Sequence, residues 1–362
     1  MAQQAASAPS PQVQGPAGGR PPLRRGHQRD IYGALDLGTN NCRLLIARPN
    51  EGGFVVLDAF SRIVRLGEGL STSGKLSQDS MDRAVEALGV CSDKLRRRHV
   101  TLSRSVATEA CRRAVNGRHF IERVHRETGI ALEIIAPAEE ARLAVLGCHK
   151  LLEPGDGPAL IFDIGGGSTE LVLVEQGEDA PRIRAWWSAP WGVVSLTESE
   201  GREAIEGKDR IAAYGRMRER VLRSFAHFVE MLPDNLANVR LLGTSGTVTT
   251  LASVHLALPA YDRRLIDGLH VAVEDMRRIS TMIAEMDFKA RSGLPCIGTE
   301  RADMVVAGCA ILEAILDIWP AGRLGVADRG IREGILRSLI TSNGEGERLR
   351  TELLRHRQGG RA

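Results

Sequence analysis

No apolar run in this chain of 362 residues reaches the roughly 18 needed to cross a bilayer, so the sequence offers no membrane-spanning segment. The first 29 residues lack the apolar core of a secretory signal. They are Ala, Gln, Ser, Pro and Gly with four arginines, the composition of a disordered tail. Those arginines, Arg20, Arg24, Arg25 and Arg29, have no acid among them. The formal net charge is +3, so the body beyond the tail is close to −1, and charge gives no argument for nucleic acid as a partner. The six cysteines include no Cys-x-x-Cys pair and are scattered through apolar patterns, as reduced buried thiols of a cytoplasmic protein would be. The nine histidines form no His-x-x-x-His pair, which argues against a histidine-based metal site.

What the sequence does contain is organised around Phe162-Asp-Ile-Gly-Gly-Gly-Ser-Thr-Glu170. Apolar runs on either side predict two buried strands joined by a turn almost without side chains. Consecutive glycines lose much entropy on folding, and they permit a backbone that lies against something bulky. Successive amides of such a turn can form an anion-binding nest, and Asp163 and Glu170 at its ends supply hard oxygens suited to Mg²⁺. A tight turn flanked by solvated acids is the plainer alternative. The same layout occurs at Asp36-Leu-Gly-Thr-Asn-Asn41, and 163 − 36 places the two 127 residues apart. A repeat of that length in a chain too long for one core suggests duplicated domains facing one cleft.

Between the two hairpins, alternation predicts a strand over 54–65, a loop over 67–74, a helix from the N-cap Ser77 to Arg98 and a strand over 99–106. One helix is then expected from Glu109 to about Thr128, a strand over 131–135, and a helix over 138–152 opened by Glu139 and Glu140. Past the second hairpin come a strand over 182–187, helices within 202–232, a short strand at 239–242 running into Gly243-Thr-Ser-Gly-Thr247, and helices near 273–286 and 300–318. A strand at 324–327 and a last helix from about 330 follow. A helix N-terminus behind Thr244, Ser245 and Gly246 is a second place for an anion. Alternating strands and helices make the class α/β. Arg216, Arg218, Arg220 and Arg223 read as a solvated helix face, and Trp186, Trp187 and Trp191 as packing.

Taken in order, these motifs resemble those of the exopolyphosphatase and guanosine pentaphosphate phosphohydrolase (Ppx/GppA) family, within the actin-like ATPase superfamily. Asp36 to Asn40 with Arg43 is similar to its first phosphate motif, and Asp163 to Glu170 to its second. Ala107-Thr108 with Arg112, Glu139-Glu-Ala-Arg-Leu143, Gly243 to Thr247, Arg301-Ala-Asp303 and Arg332-Glu-Gly334 resemble its other signatures. Asn41 stands where the family commonly has Ser. No His-Asp dipeptide is present, so the chain looks like the short two-domain form.

The resemblance implies two actin-like (ribonuclease H-like) domains with a cleft between them. The expected bounds are 30–138 and 139–329, with a helix over about 330–356 packing back on the first. It implies Mg²⁺ held by Asp36, Asp163 and Glu170, with K⁺ as an activator. Phosphoryl oxygens are expected around Gly38, Thr39, Asn40, Gly165, Gly166, Gly167, Ser168, Thr244, Ser245 and Gly246, with Thr108, Arg43 and Arg112. Glu140 matches the base that activates water; a charge that stabilises a helix N-terminus is its plainer role. The implied partners are inorganic polyphosphate or guanosine pentaphosphate, and a second copy of the chain in a homodimer. A kinase and a non-catalytic phosphate or alarmone sensor are the competing classes.

Overall fold

The strand Tyr-Gly-Ala-Leu-Asp-Leu, β1 (Tyr32–Leu37), is apolar except for Asp36 and buried on both faces, as befits a central strand. It lies between β2 (Asn41–Asn50), antiparallel to it, and β4 (Leu102–Ala107), parallel to it. With β3 (Gly53–Ile63) and β5 (Leu132–Ile134) the first sheet has the order β3-β2-β1-β4-β5. The second sheet repeats this. Its β6 (Ala159–Ile164) lies between antiparallel β7 (Thr169–Glu175) and parallel β9 (Arg240–Thr244), with β8 (Arg182–Ala189) beyond β7. On the far side, β11 (Arg323–Ala327) runs parallel to β9, and antiparallel β10 (His270–Ala272) closes the edge. The order is β10-β11-β9-β6-β7-β8. The fold is therefore α/β and built on a repeated hairpin. This computed structural model describes residues 30–341, apart from 52, 156, 176, 178–180, 233–235 and 237–238. The tail expected at 1–29 and the far end of the last helix, 342–356, lie outside the described residues.

One helix belongs to both sheets. Pro137–Cys148 is buried at every position from Glu140 onward, because two cores claim opposite faces of it. Leu143 and Ala144 pack with Tyr32, Ala34 and Leu45 of the first sheet, whereas Ala141, Val145 and Leu146 pack with Ala159 and Ile161 of the second. The helix Ile331–Ile340 lies against it and adds Ile331, Ile335 and Leu336 to the first-sheet core. The two helices meet through glycines. A Cβ at Gly147 would stand 2.0 Å from the carbonyl oxygen of Gly330, and one at Gly334 would stand 2.0 Å from that of Leu143.

Several boundaries differ from the periodicity. The helix expected over 109–128 is two, Glu109–Arg113 and Gly117–Thr128, since Ala114 turns extended and Asn116 uses its amide on the backbone of Leu76. The expected loop over 67–74 holds a helical turn, Leu70–Ser73, between the left-handed Gly69 and Gly74. His99 takes φ +50, so the following strand begins only at Leu102. The helix expected over 300–318 breaks after Gly298–Arg301 and resumes as Val305–Ile318. Val193–Glu200 is an additional helix that the pattern did not reveal. Arg216, Arg218, Arg220 and Arg223 are engaged by Glu200, Asp317, Ser199 and Glu219. The tryptophans pack on the cores, Trp187 and Trp191 on one and Trp186 on the other.

Overpacking at a helix crossing costs about 1–3 kcal/mol. Gly334→Ala should therefore lower the thermal midpoint by several degrees, read by circular dichroism, and an unchanged midpoint would mean that the crossing is looser than the contact with Leu143 implies.

Candidate active site

The two hairpins are copies in register as well as in sequence. Asp36 pairs with Arg43 across β1 and β2, and Asp163 pairs with Glu170 across β6 and β7. Gly38 donates its amide to the Asn41 carbonyl at 2.9 Å, and Gly165 donates to Ser168 at the same distance. Equivalent positions thus carry opposite charges, a cation on the first hairpin and an acid on the second.

The turns face each other across a cavity of about 140 Å³, some ten times the space that one water needs. They also touch, which gives Gly166 and Gly167 a physical reason. A Cβ at Gly166 would lie 2.9 Å from Cβ of Thr39, and one at Gly167 would lie 2.6 Å from Cγ of Glu109. Behind the second turn, the carbonyls of Gly165 and Gly166 accept from Val193 and Val194, the first residues of the helix Val193–Glu200. Helices also begin at Gly246, capped by the Ser245 hydroxyl on Val248 N, and at Ile331. Val193, Gly246 and Ile331 all line the cavity, so three helix N-termini open onto it.

Most of the residues named from the sequence meet there. Asp36, Gly38, Thr39, Asn40, Arg43, Thr108, Glu140, Asp163, Gly165, Gly166, Gly167, Ser168, Glu170, Ser245 and Gly246 line the cavity. Two do not. Thr244 donates its hydroxyl to the Arg329 carbonyl at 2.6 Å, and Arg112 stands behind the wall with Nη1 on Oε2 of Glu140 at 3.1 Å and Nη2 on Glu109 at 3.3 Å. The Ser168 hydroxyl, expected on phosphate, donates to Oε1 of Glu170 at 2.7 Å, and Ser188 donates to the same oxygen at 2.9 Å. Val193, Thr250, Met304 and Ile331 also line the cavity, with no motif of their own to mark them. Arg301 joins them from a quoted signature, with Nη1 3.2 Å from the Thr250 hydroxyl.

The two consecutive glutamates at the start of the helix Pro137–Cys148 are sorted by their surroundings. Glu139 faces Arg104 and Arg142. Burial pushes its carboxyl up, but the two guanidiniums outweigh this and hold it below the usual range. Glu140, in contrast, faces the cavity. Burial and then Glu170 push it well above the usual carboxylate range, against the opposing pull of Arg112. Burial and Glu170 push Asp163 up to about 8. Asp36 and Glu170 are also raised, chiefly by burial. Four carboxylates thus share one enclosed space, and Oδ1 of Asp36 has no hydrogen-bond partner among the described residues. Among the described residues no three Asp, Glu, His or Cys side chains form a ready-made metal cage.

Known proteins resemble this chain in sequence and in fold. The model of the Ppx/GppA phosphatase family matches residues 45–343. Exopolyphosphatase 2 of Mycobacterium tuberculosis is 31% identical over 319 residues, 84% of this chain and 97% of that protein. A guanosine-5'-triphosphate,3'-diphosphate pyrophosphatase of Aeromonas hydrophila is 28% identical over 88% of this chain and 61% of that protein. The crystal structure of the Aquifex aeolicus Ppx/GppA family member superposes with a TM-score of 0.71 at 28% identity, over 87% of this chain and 99% of that one. Its fold, its two matched hairpins and its sequence together make this chain a member of the Ppx/GppA phosphatase family.

Proposed function

We propose that this chain is an exopolyphosphatase, which removes the terminal phosphate of inorganic polyphosphate by attack of water and releases orthophosphate. The observation that carries this reading is the position of Glu140, a buried carboxylate of raised pKa on the same cavity wall as both glycine turns. A fixed carboxylate there can take a proton from an attacking water.

Asp36, Asp163 and Glu170 would hold Mg²⁺. The orphaned oxygen of Asp36 and the raised Asp163 are what a divalent cation relieves. Mg²⁺ takes few carboxylates directly and completes its shell with water and phosphate oxygens, so some of the three acids would hold it through water. When bound, it supplies neutralisation of the phosphoryl charge. The residues of the chain do the rest. Arg43 and the amides at the starts of the helices Gly246–His255 and Ile331–Ile340 bind and orient the phosphoryl oxygens, whereas the first amides of the helix Val193–Glu200 are given to Gly165 and Gly166 and brace the turn. Glu140 takes a proton from the attacking water. The new O–P bond forms as the P–O bond to the rest of the chain breaks, and the shortened polyphosphate leaves with that electron pair. Arg112 holds the carboxylate of Glu140 toward the cavity and opposes its protonation.

A second reading has its own support in the Aeromonas hydrophila relative: removal of the 5′ γ-phosphate of guanosine pentaphosphate, the same chemistry on a nucleotide. Purified protein given long-chain polyphosphate and guanosine pentaphosphate separately, with orthophosphate measured, distinguishes them, and release from neither would sink both.

Glu140→Gln should lower kcat by about 10²–10⁴ with substrate binding kept; unchanged turnover would remove Glu140 as the base. The base works only when deprotonated, so the rate should fall as pH drops through its raised pKa. Arg112→Gln removes a group that lowers that pKa, so the acid limb of the kcat profile should move to higher pH. A limb that stays put or moves down counts against the Arg112–Glu140 pairing.

Metal binding has its own pH signature. Asp163 keeps its proton up to about pH 8 in the folded chain but only to about pH 4 when unfolded. Stability from this group is complete below pH 4 and is lost as pH rises through 8. Mg²⁺ should therefore raise the thermal midpoint more at pH 8 than at pH 6, where it must displace a proton. Equal shifts in differential scanning fluorimetry would argue against Asp163 as a ligand.

A further inference from the structure

The segment after β3 packs in the first-sheet core through Val64, Leu66 and Leu70, and it also makes contacts with the other side of the cleft. Val64 and Arg65 both donate their amides to the Asn40 carbonyl, at 2.8 and 3.0 Å, and Gly67 donates to the Thr39 carbonyl at 2.9 Å. The segment is thus tied to the first phosphate turn. Arg65 takes φ +48, the left-handed region that an arginine rarely occupies. That conformation is imposed, and its result is a guanidinium that reaches the other side of the cleft. Nη1 meets Oδ2 of Asp303 at 3.0 Å and Nη2 meets the Glu300 carbonyl at 3.3 Å.

Asp303 sits in the break between the helices Gly298–Arg301 and Val305–Ile318, and its neighbours Arg301, Met304 and Val305 all line the cavity. It is 5% exposed, and Arg202 also donates to its Oδ2, at 2.7 Å. Both cations use the one oxygen, and Oδ1 is buried without a partner. A carboxylate this enclosed is costly in any other arrangement, so its placement fixes the break in the helix. A second tie lies alongside: Glu198 accepts from the Gly69 amide at 2.7 Å and from the Ser71 hydroxyl.

We propose that Arg65 and Asp303 are positioning residues: their ion pair pins the Arg301–Val305 wall of the cavity to the Thr39-Asn40 turn and so sets the width of the channel that a phosphate chain enters. The pair touches no reacting atom. It rests on the reading of the cavity as a phosphate-chain site, not on Glu140 as the base.

Binding of tripolyphosphate to the full chain by calorimetry, with hydrolysis measured in parallel, tests this. Arg65→Gln and Asp303→Asn should each weaken binding by about tenfold and raise KM in proportion, with kcat changed less than about twofold. The double variant should be no weaker than the poorer single variant, since either change breaks the same link. Glu198→Gln, which leaves Asp303 intact, should weaken binding in the same direction by less. Thermal midpoints close to the wild type confirm that the variants are folded, and Arg65→Lys, which keeps the charge, should recover part of the affinity. Unchanged binding in both single variants, multiplicative losses in the double variant, or a fall in kcat alone would each overturn the proposal. A wild-type chain that binds tripolyphosphate but hydrolyses nothing would end the exopolyphosphatase reading and leave this one standing; one that binds none would end both.

Discussion

The structure depends on a crowding of like charge. Asp36, Glu140, Asp163 and Glu170 come from two sheets and one crossover helix; burial raises each of them, and repulsion within the group adds to it at Glu140 and Asp163. Enclosed carboxylates in such numbers are unfavourable unless a cation or a proton joins them. The fold holds them there because each sits at the end of a strand or the start of a helix that the cores have already fixed. Arg43 and Arg112 offset part of the repulsion from opposite sides, Arg43 from the cavity wall and Arg112 from behind Glu140.

The same crowding separates the roles of chemically identical residues. Glu139 and Glu140 are consecutive, yet one lies between two arginines and stays ionised, whereas the other faces the acids across the cavity and is pushed toward protonation. Helical geometry turns neighbours about 100° apart, so the facing charges decide each role. A carboxyl whose pKa is drawn toward neutrality is better suited to accept a proton than its neighbour. The serines show the same economy, since Ser168 and Ser188 spend their hydroxyls on Glu170 and so fix where that acid points.

Much of this was legible in the sequence because the hairpin repeat is local. Asp-x-Gly and the residues around it set strand, turn and strand within ten positions, so Asp36 and Asp163 could be placed at equivalent turns without coordinates. Element boundaries were less legible wherever a distant partner intervened. Asn116 breaks a helix by bonding Leu76, forty positions away, and the break at 302–304 coincides with an acid that faces Arg65. The helix at Val193 carried no periodic signal; its first amides are ordered by the carbonyls of Gly165 and Gly166.

By itself the sequence determined the α/β class, the duplication, the paired acid-and-glycine turns and many of the residues on the cavity wall, since all of these are written in short contiguous segments. Only the tertiary structure decided what the glycines make room for, which is the opposite turn and Glu109 as well as a ligand. It also decided that Arg112 serves Glu140 instead of lining the cavity, and that Met304 and Val305, which no motif marks, stand on the cavity wall beside Arg301. These are contacts between segments far apart in the chain, and no local pattern encodes the distance between them.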